Sequence, residues 1–436
     1  MTGVTPLTQA WFLATFVDAR RKFRSSTGRR ILKNVAALST AQAASYVLPL
    51  VVLPYTATVL GPKNFGKVAL MQAVVQYSTL ITNYGFSFSA TRQAALYQGD
   101  PQKLAEIVVN VWAAKCLLML ACLAASVAVF TAIPSLRPAL GAYLCGFISV
   151  FGSVLYLDWF FQAIEEMRWI TIINVIPKLV LSPLVFVLVK GPSDYALVLL
   201  IQSAAFLTSG IAGASLARRR LHVALPTPTL GSILAQLNDG WRTFMATVST
   251  NFYTSTNTVL LGLMTNLTVI GYYSAGQKVV AGLQSLWTPV SQSLYPYFCK
   301  SFRADPDRTA RQLRHLVVLV FGVTLVGASL VCMAAPHLVP IYLGPKFRSS
   351  VGVIQVLVFS VCAVSTNTVL GVHGMLAAGL HSSFLRVVGA AALSNVILTP
   401  IAIFAGGYLG LAVSTVLIEV LIALLEFRIL HRNAML

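Results

Sequence analysis

The sequence predicts an all-α polytopic membrane protein, with twelve transmembrane helices in two six-helix lobes around a central cavity. Three observations carry that expectation. The chain is 57% hydrophobic and only 10% charged, with a mean hydropathy of +0.79, far from the balance of a soluble domain. Apolar stretches long enough to cross ~30 Å of hydrocarbon recur along the chain, and the short connections leave no room for a soluble domain. Within several of those stretches, polar residues repeat at the spacing of one helix face.

Residues 1–33 form a basic tail that carries Arg20, Arg21, Lys22, Arg24, Arg29, Arg30 and Lys33. The apolar patch Trp11 to Val17 precedes those charges without a small-residue cleavage site. It therefore predicts an interfacial helix rather than a signal peptide, with simple disorder as the plainer alternative. The spans follow at about 34–60, 66–90, 105–131, 138–161, 168–190, 194–217, 243–265, 268–298, 312–335, 350–376, 384–404 and 407–429. Gly61 to Gly66 is expected to be a tight turn that makes the first two spans a hairpin. A basic linker at 218–242 separates the lobes 34–217 and 243–429, and a short tail, 430–436, ends the chain. A faint internal echo supports two halves: Phe65-Gly66 with Gln72 before the second span, and Ile270-Gly271 with Gln277 before the eighth.

Orientation follows from the basic residues, because cytoplasmic loops retain positive charge. Of the 31 Lys and Arg, 22 fall in the tails and alternate connections, six in the remaining connections, and three, Lys115, Lys178 and Lys278, inside spans. Both termini are expected to be cytoplasmic. The formal net charge of +19 is thus distributed as a membrane protein distributes it, and no nucleic-acid partner is expected.

Enzyme chemistry has no foothold. Gly271 to Lys278 approaches a phosphate-binding loop, but Gln277 stands where lysine is required and no hydroxyl residue follows Lys278. The six cysteines form no CxxC pair, and the six histidines are scattered, so no metal and no cofactor is expected.

What remains is polarity inside the membrane. Gln72, Gln76, Thr79, Asn83 and Ser87 fall four, three, four and four residues apart. Similar stripes run through Thr243, Thr247, Thr250, Thr254 and Asn257, through Ser274, Lys278, Ser285 and Gln292 with Gln277 alongside, and through Thr171, Asn174, Lys178 and Ser182. Such stripes wall a polar lumen or glue helices together. Several in one chain, two of them carrying a lysine, favour the lumen. A lysine near the bilayer centre costs at least ~2.5 kcal/mol without a partner, water or ligand, which makes Lys278 and Lys178 candidate ligand contacts. Lys115 lies nearer a span end, where it lines the lumen or snorkels to the headgroups. Arg92 is a further candidate, or an interfacial anchor. Glu419, mid-span in the last helix, binds a coupling proton or cation, pairs with a lysine, or stays protonated. Asp158 and His373 read as structural.

The opening block, LPLVVLPYTATVLGPKNFG followed by NYGFSFSATRQAA, resembles the first hairpin of the Wzx-type polysaccharide flippases. These belong to the multidrug/oligosaccharidyl-lipid/polysaccharide exporter superfamily. IGYYSAGQKVVAGLQSLWTPVSQSLYPYF resembles a second block of that family, and IYLGPKFRSSVGVIQVLVF, more loosely, a third. The resemblance implies a V-shaped bundle around a cationic cavity. It also implies an undecaprenyl-pyrophosphate-linked oligosaccharide substrate, turned from the inner to the outer leaflet of a bacterial cytoplasmic membrane. Polysaccharide polymerase and chain-length machinery are partners it brings into view beside the membrane lipids. Under it, Lys278 and Lys178 hold the pyrophosphate, with Lys115 and Arg92 as further cations, while Gln72, Gln76, Asn83, Asn257 and Gln277 contact sugar. Coupling to a proton, to Na+ or to membrane potential stays open, as does the rival reading of a cation-coupled multidrug or small-molecule exporter of the same superfamily.

Overall fold

The computed structural model describes residues 26–134, 136–224, 226–433 and 435, and every described element is helical. The patch expected as an interfacial helix lies outside the described residues, as do the side chains of Thr250 and Thr254.

Helix α1, Ser26–Asn83, is two legs joined at Gly61 (φ 67°, ψ 170°). Leu50 on one leg and Gln72 on the other line a common cavity, so the legs lie side by side. The reversal is tighter than the expected six-residue turn. Gly61 alone leaves helical geometry, because a backbone there is open only to glycine, and Pro62 restarts the helix where its missing N–H costs nothing. A second break falls at Tyr84 (φ 46°) and Gly85 (φ 72°), before α2, Phe86–Leu96. That break ends the expected polar stripe after Asn83, so Ser87 belongs to a different helix.

Asp100 accepts hydrogen bonds from the backbone N–H groups of Gln102 and Lys103 and caps α3, Pro101–Ala132. The next span is broken at Tyr156 and Leu157 into α4, Leu140–Leu155, and α5, Asp158–Ala163. Pro183 divides α6, Met167–Leu181, from α7, Leu184–Leu188. Helix α8, Tyr195–Leu221, carries the arginine triplet 218–220 in its last turn. Helix α9, Leu230–Met264, starts thirteen residues before the expected 243, at a reciprocal cap between Thr229 and Ser232. The segment read as a linker is therefore mostly helix, and hydropathy missed this because the early turns of α9 are polar.

Helix α10, Leu267–Ser285, is capped by Asn266 and followed by α11, Thr288–Ala304. Helix α12, Pro306–Tyr342, leads through a turn at Gly344 to α13, Ser350–Leu357, and α14, Phe359–Asn367. A π-helical stretch, Thr368–Leu376, widens the backbone there. The last helix, α15, His381–Arg432, is again two legs, joined at Gly407 (φ 57°).

Seven helical segments among the described residues are long and apolar enough to cross a membrane, and one of them is the two-legged α15. The chain is thus a multi-pass membrane protein. Exposed side chains such as Val318, Val323, Leu330, Met333 and Phe404 form the apolar outer surface this requires. Two of the twelve expected spans share α15, and the expected spans not among the seven fall in α1 and α2, in α9, and in α10 and α11. The main core joins both halves: Leu53, Leu60, Phe65 and Met71 of α1 pack with Phe147 and Leu199 on one side and with Ala275, Val339 and Phe347 on the other.

The echoed glycines meet at that junction. A Cβ on Gly66 would collide with the carbonyl oxygen of Leu267 and crowd the backbone nitrogen of Gly271; one on Gly271 would collide with the carbonyl oxygen of Pro62. Helices α1 and α10 therefore cross backbone to backbone, as small residues allow inside membranes.

Candidate functional site

The crossing of α1 and α10 sets Gln72 one and two-thirds turns beyond Gly66 and Lys278 about two turns beyond Gly271. The Lys278 Nζ donates to Gln72 Oε1 at 2.8 Å, and the Gln72 Nε2 donates to Gln202 Oε1 of α8 at 2.5 Å. One amide thus bridges a cation of the second half and a polar side chain of the first. Nζ of Lys278 also lies 5.1 Å from the centre of the Phe65 ring, and that of Lys178 lies 5.1 Å from the Phe206 ring, both within cation–π range.

Both lysines line one cavity of about 370 Å³, together with Gln72, Gln202 and Ser182, and among the described residues no carboxylate lines it. Two smaller cavities continue from Gln72. One, of about 260 Å³, is walled by Gln76, Thr79, Ser149, Gln202 and Ser203; the other, of about 220 Å³, by Gln76, Ser274, Gln277 and Lys278.

A separate cavity of about 380 Å³ lies on the other side of α10, and its charged lining is acidic, Glu419 and Glu426. Asn367, where the π-helical stretch begins, donates from Nδ2 to the Glu419 carboxylate at 2.8 Å and to its backbone oxygen at 3.0 Å. Asn257 lines the same cavity, donates to Thr415 at 3.2 Å and accepts from Asn395 at 3.2 Å. Helix α10 is the partition. Gln284 faces the acidic side, Lys278 and Gly282 face the cationic one, and Gln277 borders both.

Three sequence candidates stand elsewhere. Arg92 is exposed and pairs with Asp239 of α9 at 3.0 Å, so it ties helices together at one end of the bundle. Lys115 is buried beside the first half's core, where its ammonium donates to the Ser153 carbonyl at 3.2 Å, and Asp158 lies near enough to act on it electrostatically. Asn83, at the helix break, lines none of the four cavities above. Sequence reasoning passed over Gln202, Asn367 and Asn395, and gave Glu426, seven residues after Glu419, no role. Gln202 and Asn395 each sit alone in an apolar run, LLIQSAA and ALSNVIL, with no stripe to mark them.

Residues 31–302 match the polysaccharide biosynthesis protein family, which is more than half of the chain. The chain belongs to that family. A protein of Escherichia coli (strain K12) named as a candidate O-antigen transporter is 26% identical over 373 residues, covering 84% of this chain and 88% of its own. One of Shigella dysenteriae with the same name is 28% identical over 394 residues, covering 90% and 98%. Among solved structures, the lipid II flippase MurJ in an inward closed conformation superposes with a TM-score of 0.70 at 13% identity, covering 93% of this chain and 89% of that one. An inward-facing multidrug resistance MATE family transporter of the MOP superfamily gives 0.68 at 12% identity, covering 91% and 98%. The chain therefore has the two-lobed all-helical fold of that superfamily. These relatives are transporters and flippases, not enzymes, and the resemblance noted in the opening hairpin extends along nearly the whole family member.

Proposed function

We propose that this family member is a flippase that carries an undecaprenyl-pyrophosphate-linked oligosaccharide repeat unit, of O-antigen, capsule or exopolysaccharide type, from the inner to the outer leaflet of a bacterial cytoplasmic membrane. Twelve traverses in two six-helix lobes, with both termini cytoplasmic, alternate access to the cavity. The observation that carries this reading is the pair Lys178 and Lys278 in a cavity that no carboxylate lines among the described residues. Two cations in low dielectric suit a pyrophosphate, while the amides and hydroxyls of Gln72, Gln76, Gln202 and Ser149 suit sugar hydroxyls. The lipid tail stays in the bilayer. A cationic drug would meet like charge there, which disfavours the multidrug alternative.

Two sources of drive fit. An inside-negative potential favours outward movement of two negative charges by about 4 to 5 kcal/mol at 100 mV. The acidic cavity at Glu419 offers a proton or Na+ site on the opposite side of α10. The decisive experiment is deletion in the native host, followed by complementation. Accumulation of the lipid-linked repeat unit on the inner leaflet, reversed by the parent gene and not by Lys278→Ala, supports flipping. Normal surface polysaccharide with altered drug tolerance overturns it.

A further inference from the structure

At the end of α15 remote from Gly407, the two legs of the helix leave a wedge of about 430 Å³ between them. Its mouth carries Arg386 and Ser383 from the first leg and Arg432 and Asn433 from the second; its walls are Val387, Ala390, Leu425 and Ile429. The lining therefore changes from two guanidinium groups to aliphatic carbon over the depth of one cavity. Arg386 donates to the Ser383 hydroxyl at 3.0 Å, and the Asn433 amide is turned back onto the Ile429 carbonyl at 2.7 Å. No carboxylate lines the wedge, and neither arginine forms an ion pair among the described residues.

Two like charges converging on one cavity repel unless an anion or water screens them, and water satisfies guanidinium groups but not the apolar walls behind. A ligand that meets both demands has a phosphate at one end and hydrocarbon at the other. Arginine suits the phosphate, since its planar fork takes two oxygens at once. Basic pockets between helices at a membrane surface hold anionic headgroups in this way. The wedge is outside the four cavities described above and opens on the periphery of the bundle.

We propose that the wedge between the legs of α15 is a binding site for an anionic phospholipid, whose phosphate is held by Arg386 and Arg432 and whose acyl chain lies against Leu425 and Ile429. The inference does not depend on the cargo. It adds a resident lipid to a helix pair whose inner face carries Glu419 and Glu426, so the lipid braces the acidic cavity from outside.

The test uses the purified full chain, delipidated in detergent and titrated with short-chain phosphatidylglycerol, with phosphatidylcholine, or with inorganic phosphate alone, and read by native mass spectrometry and thermal shift. Phosphatidylglycerol binds and raises the melting temperature; phosphatidylcholine and phosphate do not. Arg386→Ala combined with Arg432→Ala weakens phosphatidylglycerol binding about thirty-fold while leaving the melting temperature in phosphatidylcholine unchanged. Ala390→Trp, which fills the wedge from its apolar wall and keeps both arginines, produces a comparable loss. Equal binding of phosphatidylcholine, unaltered affinity in these variants, or full competition by millimolar phosphate overturns the proposal, the last by reducing the wedge to a soluble-anion site.

Discussion

The ammonium of Lys278 is met by an amide oxygen and an aromatic face, neither of which carries a compensating charge. An arriving phosphate oxygen would displace the Gln72 amide, and that exchange defines the residue-scale predictions. Lys278→Ala is expected to reduce polysaccharide export about ten- to a hundred-fold at unchanged protein level, the worth of one hydrogen bond to a charged group, with partial recovery in Lys278→Arg. A surface-polysaccharide assay in a deletion strain reads both. Gln202→Ala should cost less, because it loosens Gln72 without removing the cation. Loss equal to that of Lys278→Ala would mean that the amide chain, not the charge, recognises cargo. Lys278, Lys178, Gln72 and Gln76 were legible in the sequence because polarity at helical spacing on an apolar helix is hard to explain otherwise. Gln202 was not, since a single glutamine in a span has no period, and only the fold brings it to Gln72.

Among the elements, α1 and α10 depend on glycine for two different reasons. Gly61 needs its left-handed backbone, yet a Cβ there meets nothing within 4 Å. Gly271 has ordinary helical geometry but no room. Gly61→Ala should therefore destabilise by about 1 to 3 kcal/mol through strain alone. Gly271→Val should part the two helices and lower thermal stability further, and detergent melting curves on the pair distinguish the two causes. The stripe on α1 was read one turn too far, because periodicity is blind to the break at Tyr84 and Gly85. The early start of α9 was missed for the opposite reason: its first turns are held by a cap and polar contacts, Ser232 to Asn110 at 2.9 Å and Gln236 to Gln93 at 3.0 Å, rather than by hydrophobicity.

For the whole molecule, those contacts of α9 fasten the start of the second half to α2 and α3 at the end where Arg92 meets Asp239, and Tyr84 stacks on Phe244 with ring centres 4.3 Å apart. The proposed alternation of access would require that fastening to open. Gln93→Cys with Gln236→Cys, in a background without the six native cysteines and joined by a reducible thiol crosslinker, should arrest export, and reductant should restore it. Export that continues at full rate while crosslinked would rule out movement between these elements. Glu419→Gln tests the other face of α10: proteoliposome transport should lose its response to an imposed proton or Na+ gradient while keeping its response to membrane potential. The two-lobed plan was legible from span length and charge placement. The partition of the molecule into a basic and an acidic chamber was not, because it depends on how Lys278 and Gln284, both on the polar face of one helix, are divided between two cavities by the elements packed around them.

The contact of Gly66 with Gly271 has a mechanical meaning. At that point two backbones touch without side chains, so under the proposed alternation of access the crossing would serve as the pivot about which one helix tilts against the other. Lys278 stands seven residues along its helix, a lever arm of roughly 10 Å, and Gln72 stands on an arm of similar length. A tilt of about 10° at the pivot swings the end of such an arm by roughly 2 Å, enough to part the Lys278–Gln72 hydrogen bond. The same tilt carries Gln277 at the border of the acidic chamber. If a counter-ion is used as proposed, its gearing to cargo would be set by how far from the pivot each side chain is mounted.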